Sequence, residues 1–189
     1  MTRRFLLWAA LAGSLALAAA SPAQAAVFEH GTFSFEESVD EDLCGIAAHR
    51  DTTVTGKFRT RTGKGDLDQA FFGQALIDST DTFTNLATGA SFSIEGSFIG
   101  KDVKATPLGG NLFEFSGLEA GTVTVRDMDG NVVLSDSGAI WRTFVFDTFG
   151  DSMPGGDVLD ETVDRVSGAH PFFEMDEAAF CDMVHDLIG

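Results

Sequence analysis

The chain has 189 residues, and its 29 acidic residues against 12 basic ones give it a net charge of −17. A disordered acidic tail is excluded, because 44% of the residues are hydrophobic and the 18 phenylalanines can build a core. Nucleic acid is a poor partner for so acidic a chain, since its phosphates would be repelled, and the length fits one domain.

The first 25 residues have the pattern of a signal peptide. Two arginines near the start are followed by an apolar run over 5–20, which is shorter than the ~20 residues that usually span a bilayer. An Ala-Gln-Ala sequence ends at Ala25, as signal peptidase requires. We therefore predict a signal peptide over 1–25, a single β-rich domain over 26–189 and secretion without a membrane anchor. The general and the twin-arginine export routes both stay open.

Apolar and polar residues alternate along the middle of the chain, which is typical of half-buried strands. Turns that contain glycine separate these segments at strand spacing. Glycine and threonine inside the strands indicate a curved sheet or a close approach of neighbours. Eight strands are predicted, the last one broken near Gly138, at about 28–36, 52–61, 69–78, 80–86, 90–100, 111–116, 121–127 and 131–146.

Short connections predict an antiparallel meander, in which consecutive strands are neighbours in the sheet. Eight such strands can close into a small up-and-down barrel, and a two-layer β-sandwich is the alternative. Only the C-terminus has helical spacing, beginning at Asp176. The acidic stretch over 147–164 is predicted to be a solvated loop, with weak calcium binding as an alternative.

The chain has two cysteines, Cys44 and Cys181. In an exported protein an even cysteine count predicts a disulfide bond. Cys44 and Cys181 could instead form a zinc site with His49 and His185. The predicted export favours the disulfide, and no metal is expected.

Arg142 is the charged residue that the alternation places on an apolar face, with Ile140 and Phe144. A charge buried there needs a partner. Glu37 continues the alternation of an earlier strand, so a Glu37–Arg142 ion pair is predicted. Alternatively, the two residues bind the polar end of a ligand, with Arg142 holding an anionic head group. A register that differs by one residue would expose Arg142.

Sequence motifs of common enzymes are missing. There is no Gly-x-Ser-x-Gly elbow, no Walker sequence and no His-x-x-x-His pair. No catalytic residue and no cofactor can therefore be assigned, and the sequence favours a protein without enzymatic activity.

Several short segments carry a resemblance to known proteins. They are Thr-Phe-Ser-Phe-Glu-Glu at 32–37, Leu-Cys-Gly at 43–45, Phe-Thr-Asn-Leu-Ala-Thr-Gly at 83–89 and Phe-Cys at 180–181. With the export signal, the chain resembles a group of uncharacterised secreted proteins from high-GC Gram-positive bacteria. The resemblance implies paired cysteines and no assigned activity. Lipocalins and allene-oxide-cyclase-like barrels are similar in architecture only, and a shared fold does not confer a function.

Three functions are compatible with these observations. The first is a secreted β-barrel module that binds a small apolar or amphipathic ligand among its phenylalanines. The second is a non-catalytic structural or interaction protein of the cell envelope or the medium, in which the phenylalanines only pack. The third is a barrel cyclase or isomerase. We take the first as the working prediction and expect no nucleic-acid partner and no membrane association after signal cleavage.

Overall fold

The computed structural model describes residues 27–189, so the predicted signal peptide lies outside the described part of the chain. One 3-10 turn, Gly65–Leu67, lies between the second and third strands. The other elements are β1 (Val27–Leu43), β2 (Ile46–Thr62), β3 (Phe71–Asn85), β4 (Ser91–Gly109), β5 (Leu112–Asp127), β6 (Val132–Asp147), β7 (Asp157–Ala169) and α1 (Glu177–Ile188). Among these residues no helix is both long and apolar enough to cross a membrane.

All seven strands form one antiparallel sheet in the order β1-β2-β3-β4-β5-β6-β7. The predicted meander with a C-terminal helix is therefore confirmed. The sheet of the described residues is not closed, because β1 and β7 are its two edges and do not pair with each other. The predicted barrel closure is thus not found, and the strands do not divide into the two layers of a sandwich.

The strands are fewer and longer than the alternation predicts. The predicted strands 69–78 and 80–86 are one strand, β3, and those at 111–116 and 121–127 are one strand, β5. Polar residues inside β3 do not end it, because Asp78 accepts a hydrogen bond from the Ser97 hydroxyl of β4 (2.7 Å). The predicted break at Gly138 is also wrong, since β6 runs through it.

The acidic stretch over 147–164 is only partly a loop. Residues 148–156 form the loop that the glycines predict, but β7 begins at Asp157 and continues to Ala169. Every residue of β7 is exposed, so this strand lacks the half-buried alternation from which the other strands were predicted.

One face of the sheet, here called the inner face, carries the core. The pairing register places Phe92, Val125 and Phe115 on this face, together with Phe144. Two clusters of buried side chains lie at its opposite ends. The aromatic cluster contains Phe72, Ala105, Phe113 and Phe115, with Phe144 and Phe146 packed against it. The helical cluster contains Phe83, Phe92 and Val125 of the sheet with Val184 and Ile188 of α1.

Helix α1 begins where the spacing predicts. Asp176 is its N-cap, and the Asp176 carboxylate accepts a hydrogen bond from the Ala179 amide (2.8 Å). Cys181 of α1 forms a disulfide bond with Cys44, in the turn between β1 and β2, as predicted (Cα–Cα distance 5.4 Å). The disulfide therefore joins the first hairpin of the sheet to its last element.

Glycines inside the strands allow aromatic rings to lie directly on the backbone. The Phe33 ring of β1 covers Gly56 of β2, and the Phe98 ring covers Gly96 within β4. A side chain at either glycine would occupy the space of the ring. This close approach is the arrangement that the glycines within the strands predict.

Candidate ligand-binding site on the inner face

A cavity of 590 Å³ lies on the inner face, between the aromatic cluster and the helical cluster. Its apolar walls include Phe58, Ile77, Phe98 and Phe144. The space exists because several residues that line it are small: Gly73, Ala75, Gly100 and Gly117. The volume is within the range of about 300–1,000 Å³ that is usual for small-ligand sites.

Arg142 lies in the cavity, on the inner face where the alternation places it. Its guanidinium forms ion pairs with Glu119 of β5 (3.0 Å) and Glu161 of β7 (2.7 Å). The Nε atom is buried and has no hydrogen-bond partner in the described part of the chain. Arg142 thus combines two ion pairs with an unused donor.

The predicted Glu37–Arg142 ion pair is not formed. Glu37 instead accepts a hydrogen bond from Arg50 of the neighbouring strand β2 (3.2 Å). The alternation of both residues was predicted correctly, because both lie on the inner face. However, β1 and β6 are far apart in the strand order of an open sheet, and only closure would bring them near each other. Glu37 is therefore not part of this cavity.

A second cavity of 320 Å³ adjoins the first on the inner face and shares Phe98, Glu119 and Arg142 with it. Phe172 and Phe173, in the connection between β7 and α1, line one side of this second cavity. We call residues 170–173 the strap, because they link the sheet to the helix along this cavity.

A buried contact between a histidine and an aspartate holds the strap to β6. The His170 Nδ1 atom lies 2.9 Å from the Asp136 carboxylate, and both side chains are at least nine-tenths buried. The other Asp136 oxygen accepts hydrogen bonds from the Phe172 and Phe173 amides (2.9 and 3.2 Å). The His170 Nε2 atom lies 3.0 Å from the Ser167 carbonyl oxygen. Every polar atom of the pair thus has a partner.

Asp102 of β4 also lines the larger cavity. Its Oδ2 atom accepts a hydrogen bond from the Gly73 amide (2.7 Å). Burial raises the pKa of the Asp102 carboxyl above its ordinary value of 3.8, against the opposing effects of the Gly73 hydrogen bond and the Arg61 charge. The ionised carboxylate is therefore a destabilising group in the folded protein.

The substitution Asp102→Asn is expected to stabilise the protein at neutral pH. Because the folded-state pKa of Asp102 is raised, the group costs no stability below pH 3.8, where its carboxyl is protonated. Stability is lost as the pH rises through the folded-state pKa, because the folded protein must then hold a buried carboxylate. The asparagine oxygen can still accept the Gly73 hydrogen bond. We expect a higher melting temperature at pH 7, by about 2–4 °C for each 1 kcal/mol gained in a protein of this size, and no difference near pH 3. Thermal unfolding at both pH values tests this, and equal stability at pH 7 would contradict it.

The sequence predicted Arg142 but missed its partners. Glu119, Glu161, Asp136 and His170 were not singled out. A signal was present for Asp136, because it alternates in phase with the apolar residues Leu134 and Ile140 of the same strand. The alternative zinc site loses both of its thiolates, since Cys44 and Cys181 form the disulfide.

In comparisons with protein-family models, curated proteins and solved structures, no match to the chain was found. The resemblance to secreted bacterial proteins therefore stays a prediction.

Proposed function

We propose that the chain is an exported binding module that holds one small, mainly apolar ligand in the inner-face cavity. The observation that carries this proposal is the 590 Å³ cavity, whose walls are mainly aromatic and aliphatic and which contains Arg142 with its partners Glu119 and Glu161. Few polar groups in a mainly apolar cleft are typical of ligand sites, because they orient the ligand while the walls bind it. The disulfide supports export, since such bonds persist in oxidising compartments.

The charges around Arg142 favour a neutral polar group on the ligand. Two carboxylates already surround the guanidinium, so an anionic head group would meet a local excess of negative charge. The formal charges of the cavity lining sum to zero, because three basic residues are matched by three acidic ones: Arg59, Lys101 and Arg142 against Asp102, Glu119 and Glu161. A ligand with a carbonyl or hydroxyl oxygen could accept a hydrogen bond from the unused Nε–H after a small movement of the side chain.

Gly100→Val is the variant that tests the cavity. A Cβ atom at Gly100 would have only the Glu119 Cγ as a neighbour, at 4.0 Å, so the backbone tolerates a side chain there. The valine methyl groups would occupy the cavity. Ser135→Val is the matched control, because Ser135 is exposed and lies on the opposite face of the sheet.

The first experiment is native mass spectrometry of the protein from the culture medium of its own host, followed by titration with the neutral fluorescent probe N-phenyl-1-naphthylamine. We expect a stoichiometric organic adduct, and at least tenfold weaker probe binding by Gly100→Val than by Ser135→Val, a loss of about 1.4 kcal/mol. The mature mass also tests cleavage after Ala25. Bare protein together with equal probe binding by both variants would refute the proposal and favour the structural or interaction protein.

A further inference from the structure

Three side chains on the first hairpin are linked in the order serine, histidine, aspartate. The Ser38 hydroxyl lies 2.9 Å from the His49 Nε2 atom, and the His49 Nδ1 atom lies 2.5 Å from the Asp40 carboxylate. The hairpin register explains this contact. Asp40 is paired with His49 across β1 and β2, and Ser38 lies two residues from Asp40 on the same face. This face is the outer one, opposite the ligand cavity.

The charges around His49 suit a general base. The hydrogen bond that His49 donates to the Asp40 carboxylate is the largest influence on its pKa and raises it above the ordinary value of 6.5, and Asp51 acts in the same direction. Asp51, on the same strand as His49, places a carboxylate oxygen 3.4 Å from Nε2. The residue that faces His49 from β3 is Thr84, which is uncharged. Asp40 and Asp51 are thus the charged groups beside the imidazole.

Ser38 also borders a small surface cavity of 210 Å³. Glu36 and Asp51 contribute negative charge to its lining, and Thr53 contributes a hydroxyl group. Carboxylates at the rim attract a cation and repel an anion. A hydroxyl group can donate a hydrogen bond to an oxygen that becomes negative during a reaction.

We propose that Ser38 is a nucleophile and that this surface cleaves small esters that carry a positive charge. The Ser38 oxygen forms a bond to the ester carbonyl carbon, while its proton passes to His49 Nε2. The bond to the alcohol oxygen then breaks, and that oxygen takes the proton from His49. Water releases the acyl group by the same steps, and Ser38 is restored. Asp40 is a positioning residue, which orients the imidazole and stabilises its protonated form.

Turnover is expected to be slow. In serine hydrolases, each preorganised donor to the oxyanion is worth about 10²–10³ in kcat, and here the group available is a single hydroxyl. Covalent labelling of Ser38 is therefore a more sensitive readout than hydrolysis. Ser38 lies on the outer face, so its reaction is independent of ligand binding on the inner face.

The experiment uses a fluorophosphonate that carries a quaternary ammonium group. The Ser38 oxygen replaces fluoride on phosphorus, and the serine proton passes to His49. We expect one adduct, mapped to Ser38 by peptide mass spectrometry. Ser38→Ala should abolish it, whereas Ser34→Ala should retain it, because Ser34 is exposed on the same face of β1 without a histidine partner. His49→Gln should slow the labelling by at least 100-fold.

The pH dependence separates a nucleophile from an ordinary surface serine. The labelling rate should rise with pH as His49 loses its proton, with a midpoint above 6.5, and Asp40→Asn should move this midpoint to lower pH. No adduct at Ser38, or a labelling rate that is unchanged in His49→Gln, would overturn the proposal. The triad would then be only a hydrogen-bonded link between β1 and β2.

Discussion

Replacing both cysteines by serine, in the double variant C44S/C181S, is expected to lower the free energy of unfolding by about 3–5 kcal/mol. The disulfide closes a loop of 137 residues, so its removal releases a large entropy of the unfolded chain. It also frees α1, which supplies Val184 and Ile188 to the helical cluster. Urea unfolding without reductant measures the difference.

The reduced form of the unmodified protein is the matched control for this prediction. It lacks the same bond without any substitution, so its unfolding midpoint should be close to that of the double serine variant. A loss of less than about 1 kcal/mol in both proteins would show that the contacts of α1 hold the helix without the bond.

The substitution Asp136→Ala is expected to cost about 3–5 kcal/mol, because each of several buried polar groups left without a partner costs about 1–3 kcal/mol. It leaves the His170 ring without its carboxylate partner and the Phe172 and Phe173 amides without an acceptor. Because these residues form the strap, the second cavity should lose one of its walls. Urea unfolding measures the cost, and probe binding measures the change at the cavity.

Two further variants serve as comparisons for Asp136→Ala. Asp136→Asn keeps an oxygen that can accept from the strap amides, so its loss should be smaller than that of Asp136→Ala. Asp66→Ala removes an exposed carboxylate and should change stability by no more than about 0.5 kcal/mol. Equal losses in Asp136→Ala and Asp66→Ala would mean that the strap does not depend on the contacts of Asp136.

Local alternation predicted most of the sheet, because it reports which side chains of a strand share a face. Ile140, Arg142, Phe144 and Phe146 share the inner face as predicted. The same alternation failed for β7. Its pairing with β6 shifts at two places, between Trp141 and Arg142 and between Val145 and Phe146, so a regular period of two is interrupted. Its exposure also removes the contrast between apolar and polar positions.

Contacts between distant strands could not be predicted in this way. The partner of Arg142 depends on whether the sheet closes, and periodicity carries no information about closure. The predicted partner, Glu37, would be a neighbour only in a closed barrel, whereas the observed partners, Glu119 and Glu161, lie on the strands beside β6. The Ser38–His49–Asp40 arrangement was missed because it depends on the register of one hairpin rather than on a sequence motif.

The open edges of the sheet give the acidic composition a structural role. An unpaired strand is a template on which another copy can add its own strand. Here β1 carries six acidic residues along its length, and β7 carries four: Asp157, Asp160, Glu161 and Asp164. Two approaching edges therefore repel each other, over a distance that salt shortens to about 8 Å at physiological ionic strength. The ionic strength of the surroundings therefore controls self-association. The protein can stay dispersed although its sheet is not closed and has two unpaired edges.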